Sequence, residues 1–227
     1  MHVVDKQSHR WTHRLIAVLA VTLLAIFNLI GISAYRRFDA LRRLARNERT
    51  YVYFMQNEPG NAHASGLSYR LYERYDGYSY IFGEGEQPTF CDLGWLAANY
   101  VQYSGMDVAN VDLSPLRVLP QIKSLDLQES VNVESALRQL SSDTGIREFW
   151  LHASDVTDDV LVQLDPTSIE VLSIHETEVS ADSLPFLESL TSLKTLFISE
   201  GMLTPAELNE LTTSLPRVTV EVIPKRE

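Results

Sequence analysis

Ile122-x-x-Leu125-x-Leu127 is a short apolar phrase that recurs through the C-terminal half of this chain. The further copies are Ile146-x-x-Phe149-x-Leu151, Ile169-x-x-Leu172-x-Ile174, Leu193-x-x-Leu196-x-Ile198 and a looser one, Leu215-x-x-Val218-x-Val220. Their first residues lie 24, 23, 24 and 22 positions apart. Because apolar residues alternate within each copy, the first four predict short strands with one buried face, at 122–128, 146–152, 169–175 and 193–199.

A turn and a helical segment are predicted after each strand. The small residues that follow the strands are Ser130, Ser154, Thr177 and Gly201; the aliphatic residues are Val133, Val156, Val179 and Leu203; the candidate helix caps are Glu134, Thr157, Ser180 and Thr204. Thr204-Pro205-Ala206-Glu207 has the pattern of a capping box. One such unit cannot bury its own apolar side, so the copies must stack, and a period of about 20 to 29 residues is typical of leucine-rich repeats. The sequence therefore predicts an α/β leucine-rich-repeat solenoid over residues 104–227, with parallel strands on the concave face and helices on the convex face.

Both ends of this array differ from its middle. Val108-x-x-Val111-x-Leu113 matches the strand phrase, but it begins only 14 residues before Ile122. It is either a truncated repeat or the strand of an N-terminal cap, which shields the end of such a stack from water. At the other end, alternating valines from Val218 to Val222 predict a closing edge strand.

An uncharged run from Leu15 to Ala34 predicts a membrane-spanning helix, assigned to residues 15–35 behind a basic tail at 1–14. Twenty residues at about 1.5 Å each cross the roughly 30 Å core of a bilayer. Trp11 and Tyr35 suit the two interfaces. A cleaved signal peptide is the alternative, although its apolar region is ordinarily shorter.

Basic residues surround this segment. Residues 1–49 carry nine Lys and Arg against three acids, and most of the cations follow the segment, at 36–49. Their position favours a cytoplasmic soluble part, and the basic tail opposes that bias. The 36–49 stretch predicts a juxtamembrane helix that continues the anchor, lies on anionic lipid or is simply solvated.

Nine of the ten tyrosines lie between residues 50 and 103. A strand is predicted at Thr50 to Phe54, a hairpin at Tyr69 to Tyr75 and Tyr78 to Phe82 around Asp76-Gly77, and a helix at Trp95 to Tyr103. This segment is interpreted as a small α/β cap or linker that packs on the first repeat. A sugar- or peptide-binding face is the alternative, because tyrosine suits half-buried positions of either kind.

Gly94-Trp95-Leu96, the Val108-to-Leu113 phrase and the repeats that follow resemble membrane-anchored leucine-rich-repeat proteins of planctomycete bacteria. Val156-Thr-Asp-Asp159 also resembles the Val-Thr-Asp phrase of those repeats, whereas Glu178-Val-Ser-Ala181 departs from it. The resemblance covers residues 11 to 222 and implies an apolar anchor, a basic juxtamembrane helix and a modest repeat array. It implies a binding or scaffold role and supplies no catalytic residues.

The residues between the buried strand positions form two rows on the predicted concave face. The first row is Asp126, Trp150, Ser173, Phe197 and Thr219, and the second is Gln128, His152, His175, Ser199 and Glu221. Adjacent strands lie about 4.8 Å apart, so the two histidines are expected to be neighbours. The candidate binding residues are Trp150, His152, Ser173, His175 and Phe197, because aromatic side chains commonly anchor interfaces.

Other chemistry finds little support in the sequence. Two histidines fall short of the three or four ligands of a zinc site, and Asp126 and Glu148 are not placed to add a third. Asp155, Asp158 and Asp159 lack the other residues of a calcium loop and suit the N-terminus of the following helix.

These absences define the functional expectation. No catalytic residue, metal or cofactor is predicted, and with 27 acids against ten bases in residues 50–227, nucleic acid is not an expected partner. The chain is expected to bind an unidentified protein at a membrane as a non-enzymatic scaffold. The alternative is a receptor-like module that binds a small ligand or glycan through the tyrosine-rich segment.

Overall fold

The computed structural model describes residues 5–44, 50–54, 79–82, 98–140 and 144–224. The chain divides into two compact units, Met1–Asp39 and Ala40–Glu227. The predicted strand at Tyr69 to Tyr75 and most of the tyrosine-rich segment lie outside the described residues.

The first unit is built on one long helix, α1 (Asp5–Leu44), which continues into the second unit. Its large apolar side chains from Val18 to Ile32 are solvent-exposed, as in Phe27, which is 78% exposed. Two of the polar residues within the apolar run, Thr22 and Asn28, donate side-chain hydrogen bonds to carbonyls one turn earlier, at 2.8 and 2.9 Å. The helix is therefore long and apolar enough to span a membrane, properties that an N-terminal signal sequence shares.

The last turn of α1 belongs to the second unit and is buried there. Leu41 and Leu44 are fully buried and Ala40 is nearly so. Arg43, on the exposed side of the same turn, makes an ion pair with Asp112 at 2.5 Å. The juxtamembrane segment therefore continues the helix as far as Leu44, and its apolar stripe contributes to the core of the second unit.

An eight-stranded sheet forms the centre of the second unit, in the order β2-β1-β3-β4-β5-β6-β7-β8. The strands are β1 (Thr50–Phe54), β2 (Ser79–Phe82), β3 (Tyr100–Tyr103), β4 (Ser124–Asp126), β5 (Glu148–Trp150), β6 (Val171–Ser173), β7 (Thr195–Ser199) and β8 (Thr219–Ile223). β3 to β8 are parallel, and β1 is antiparallel to both of its neighbours. The four strands predicted from the repeated phrase are confirmed, each inside its expected range and in parallel register.

Short helices separate the strands. They are α2 (Val133–Leu137), α3 (Asp158–Leu161), α4 (Leu184–Ser189) and α5 (Pro205–Ser214), with 3-10 turns at Ser114–Val118 and Ala181–Ser183. α5 is the longest of the four, and its N-terminus carries the predicted capping box. The Thr204 hydroxyl accepts from the Glu207 backbone N–H, and the Glu207 carboxylate accepts from the Thr204 backbone N–H at 2.7 Å.

One face of β3 to β7 is aliphatic and lies in the core. Its residues, none more than 5% exposed, are Val101, Tyr103, Leu125, Leu127, Phe149, Leu151, Leu172, Ile174, Leu196 and Ile198. Each fully buried aliphatic side chain contributes about 1.5–3 kcal/mol relative to exposure. The phrase recurs because each strand must fill the same position in this shared core.

Strand β3 corrects the sequence interpretation at the N-terminal end. Tyr100–Tyr103 is a strand, so the helix predicted over Trp95 to Tyr103 is wrong there. Val101 pairs with Leu125. Ala98, Val101 and Tyr103 therefore form an earlier copy of the phrase, 24 residues before Ile122. The sequence does not reveal this copy because alanine and tyrosine replace the leucine or isoleucine at its outer positions.

The phrase at Val108 to Leu113 is not a strand, so both interpretations offered for it are wrong. Within the described residues the one bridge near this stretch is parallel and joins Asp107, just before the phrase, to Val131. Val108 is fully buried and occupies the aliphatic turn position that Val133 occupies in the next copy. It belongs to the turn that follows β3.

Strand β8 is paired two residues later than the phrase at Leu215 predicts. Val220, not Val218, lies opposite Leu196, and Glu221, not Thr219, lies opposite Phe197. The paired residues of β7 and β8 lie 24 positions apart, as those of β6 and β7 do, so β8 keeps the period of the array and the looser phrase at Leu215 misplaces the strand.

Helix α2 is capped by the neighbouring repeat. Its N-cap residue, Asn132, makes no side-chain cap, and Glu134, the cap predicted from the sequence, lies inside the helix. The carboxylate of Asp155 instead accepts from the backbone N–H groups of Asn132 and Val133, at 2.5 and 3.0 Å. Asp155 therefore stabilises the preceding helix rather than the following one, which corrects its predicted role.

Candidate functional site

The face of the sheet opposite the aliphatic face carries the candidate residues; we call it the polar sheet face. Side chains alternate along a strand, so the residues between the buried ones point to this second face. Register places six of them in one line across β3 to β8, here called the aromatic row. Its members are Gln102, Asp126, Trp150, Ser173, Phe197 and Glu221.

Trp150 and Phe197 form the centre of the aromatic row. They lie on β5 and β7, and Ser173 on the strand between them is fully buried. The two rings meet with centroids 5.5 Å apart and planes inclined at 33°. Both side chains are half-buried. The structure therefore brings together the two aromatic residues proposed from sequence and places Ser173 beneath the surface.

The indole N–H of Trp150 has no hydrogen-bond partner among the described residues. Its nitrogen is buried, and no acceptor for it lies within the part of the chain that the structure describes. A buried donor that loses water without gaining an acceptor costs about 1–3 kcal/mol. The repeat itself does not require an indole here, because the neighbouring strands place aspartate and serine at the same position of the row.

His152 and His175 are neighbours, as predicted, and their rings are stacked. The ring centroids are 4.6 Å apart and the planes are inclined at only 6°. The Ser173 hydroxyl lies 3.0 Å from Nδ1 of His175, which fixes the orientation of that ring. Lone pairs lie in the plane of an imidazole, so two parallel rings direct them side by side rather than toward one ion.

The described residues contain no group of three or more His, Cys, Asp or Glu side chains that could hold a metal ion. A zinc site needs three or four ligands that converge at about 2.0–2.3 Å. The stacked histidines therefore suit contact with a partner or with each other better than ligation.

Asp126 is the most perturbed ionisable group of the polar sheet face. Its side chain is only 3% exposed. Burial raises its pKa to about 6, while hydrogen bonds from the Tyr100 hydroxyl and the Gln128 backbone N–H act in the opposite direction. It takes part in no ion pair among the described residues. The sequence placed Asp126 in the row, but the Tyr100 contact was missed because Tyr100 was assigned to a helix.

Two further carboxylates lie close to the aromatic pair. Glu148 is half-buried and accepts a hydrogen bond from the Ser124 hydroxyl on the next strand. Glu221 is exposed and pairs in register with Phe197. Sequence reasoning put Glu221 one row away, since it took the register of β8 from the looser phrase.

The remaining acidic cluster is structural. Asp158 begins α3 and accepts from the Ser180 backbone N–H at 2.9 Å and from the hydroxyls of Ser180 and Ser183. Asp155 links the copy that contains β5 to the preceding copy, and Asp158 links it to the following one.

Neither the protein-family models nor the curated proteins compared with this chain give a match. Function is therefore argued from the aromatic row and its surroundings.

Proposed function

We propose that this chain is a leucine-rich-repeat protein, held at a membrane by an uncleaved N-terminal helix, whose polar sheet face binds a partner protein. The parallel register of β3 to β8, the common period and the buried aliphatic face support the repeat assignment. The proposal includes the resemblance to membrane-anchored planctomycete proteins of this class. It makes the chain a scaffold rather than an enzyme.

The observation that carries the binding role is the aromatic pair. Trp150 and Phe197 remain half-exposed on two non-adjacent strands, with a buried serine between them. Tryptophan and its aromatic neighbours supply much of the energy of protein interfaces when a partner covers them. The same positions on β4 and β6 hold polar residues, so large apolar surface here is not a demand of the fold.

A receptor for a small ligand or glycan has less support. The two tyrosines of the segment whose side chains the structure describes are Tyr100, at 8% exposure, and Tyr103, at 0%. Buried phenols cannot stack on a sugar.

Photo-crosslinking tests the binding face. A benzophenone amino acid in place of Phe197 in the full chain, irradiated in intact membranes, is expected to give discrete protein adducts that disappear when Trp150 is replaced by alanine. The matched control is the same probe in place of Val162, which is 55% exposed and follows α3. Equal adducts from both positions, or none from position 197, would refute the proposal.

Fractionation tests the anchor. The uncleaved chain is expected to stay in the membrane pellet after an alkaline carbonate wash, because about 20 apolar residues in a helix hold it in the bilayer. A mature N-terminus near Tyr35 would instead identify a cleaved signal peptide.

A further inference from the structure

The polar sheet face is acidic, and this charge indicates what kind of partner it fits. In register, the row before the aromatic row is Tyr100, Ser124, Glu148, Val171, Thr195 and Thr219, and the row after it includes Gln128, His152, His175, Ser199 and Ile223. With the aromatic row, these positions hold Asp126, Glu148 and Glu221. They hold no lysine or arginine among the described residues.

Cations elsewhere in the second unit do not neutralise this face. Arg147 and Lys194 both pair with Glu170, each at 2.6 Å. The ammonium of Lys123 donates to the Pro120 carbonyl at 2.7 Å. The four ion pairs of the described residues therefore leave the carboxylates of the polar sheet face without a partner of opposite charge.

The aromatic pair lies between these carboxylates. Asp126 is beside Trp150 on the neighbouring strand, and Glu221 is beside Phe197. With strands about 4.8 Å apart, a cation over the two rings lies roughly 10 Å or less from either carboxylate. The faces of aromatic rings attract cations, tryptophan most strongly, and a guanidinium can stack on a ring while donating to a carboxylate.

We propose that the polar sheet face binds an arginine-bearing segment of the partner protein. Its guanidinium stacks on Trp150 and Phe197 and donates a hydrogen bond to the carboxylate of Glu221. This rests on the proposed function and adds the chemistry of the bound segment. Asp126 supports the same site, since a buried carboxylate without an ion pair is stabilised in its charged form by a cation that a partner brings.

The test compares two dye-labelled hexapeptides of alternating glycine with either arginine or citrulline. Citrulline keeps the shape of arginine and lacks its charge. Fluorescence anisotropy with the full chain in non-ionic detergent is expected to give at least about ten-fold tighter binding of the arginine peptide. Equal affinity for the two peptides would overturn the proposal.

Matched variants separate a site from general attraction to an acidic protein. Glu221→Gln is expected to weaken the arginine peptide about five-fold, and Trp150→Leu by at least as much. Glu210→Gln removes the same charge from the exposed side of α5 and should change the affinity by less than about two-fold, because exposed charges beyond about 10 Å are screened by salt. Equal losses of affinity in Glu221→Gln and Glu210→Gln would refute a defined site. This comparison tests the proposal even if Trp150→Leu fails to fold.

The crosslinking result distinguishes this inference from the proposed function. Adducts at position 197 together with equal binding of arginine and citrulline peptides would support the binding face and refute the claim that it recognises arginine. Absence of site-specific adducts would reject the binding face itself. Support for the inference requires adducts whose crosslinked peptide, mapped by mass spectrometry, carries an arginine next to the attachment point.

Discussion

The two faces of the same sheet follow opposite rules. On the aliphatic face, five consecutive strands repeat nearly the same residue, from Val101 through Leu125, Phe149 and Leu172 to Leu196. Along the aromatic row, six strands contribute six different side chains. Packing demands repetition, because every strand fills an equivalent place in one core, whereas recognition does not. The side of a repeat protein on which the period fails is therefore the side on which to look for its ligand.

The strongest way to break the aliphatic face is a charge at its centre. Leu172→Asp is expected to unfold the second unit, because it buries an unpaired carboxylate at a position with 0% exposure and leaves a cavity, at a combined cost above about 4 kcal/mol. Loss of the far-ultraviolet circular dichroism signal of the sheet would show this. The matched control is Val222→Asp on the last strand, where 43% exposure predicts a change within about 0.5 kcal/mol. Similar destabilisation by the two changes would contradict a shared core.

On the polar sheet face, by contrast, replacing a buried carboxylate, that of Asp126, is expected to favour the folded state as pH rises. Its pKa is about 6 in the folded chain against an ordinary 3.8, so between these values the folded state holds a proton that the unfolded state has released. The contribution of Asp126 to stability therefore falls as pH rises from about 4 to about 6 and stays lower above that window, by about 3 kcal/mol. Asp126→Asn removes this dependence while keeping a group that can bond to Tyr100 and to the Gln128 N–H.

Urea unfolding of the wild-type and Asp126→Asn chains at pH 4.5 and pH 7 measures this difference. The variant is expected to gain stability relative to the wild type as pH rises. A constant difference at the two pH values would show that Asp126 does not titrate in this range. The carboxylates whose pKa is lowered by hydrogen bonds and cations, such as Glu170, are common to both proteins and cancel in the comparison.

The contact between Trp150 and Phe197 on the polar sheet face can be measured by a double-variant cycle. Trp150→Ala and Phe197→Ala each remove a half-buried ring, so each is expected to cost about 1–2 kcal/mol, less than the roughly 3–5 kcal/mol of a fully buried aromatic. Because the rings touch, the double variant should cost less than the sum of the single ones. Thermal unfolding of the four proteins measures this coupling, and strict additivity would contradict the contact.

Tyr103 is the one polar residue on the aliphatic face and gives the smallest effect. Its hydroxyl is buried and has no hydrogen-bond partner within the described residues, and burial raises its pKa above the ordinary value of 10.0. Tyr103→Phe keeps the ring and removes the unsatisfied group, so it is expected to be neutral or to stabilise the chain by up to about 1 kcal/mol. Clear destabilisation in a urea titration would indicate a bound water or another partner for this hydroxyl.

The strands β4 to β7 could be predicted because leucine, isoleucine and phenylalanine stand at a fixed spacing, and core packing accepts little else. The adjacency of the two histidines and of Trp150, Ser173 and Phe197 followed from that register. Strand β3 was missed because Ala98 and Tyr103 fill the core positions with residues of unequal size.

Contacts that depend on the direction of side chains cannot be predicted from the spacing of the repeated phrase. The hydrogen bond from Tyr100 to Asp126 joins residues 26 positions apart and lowers the pKa of Asp126 against the larger effect of burial. Neither the ring inclination of the aromatic pair nor the cap that Asp155 places on α2 has a signature in a single repeat. These features arise from the neighbouring repeat, which the sequence of one copy does not describe.

The cap on α2 has a consequence for biosynthesis. The backbone donors at Asn132 and Val133 are satisfied by Asp155, which leaves the ribosome 23 and 22 residues after them. A nascent chain folds from its N-terminus as it is made, at about 5–20 residues per second. Helix α2 therefore waits roughly one to five seconds for its cap. This end of the growing chain is therefore completed only after the following copy has been translated, whereas the capping box of α5 is complete as soon as its own residues have been made.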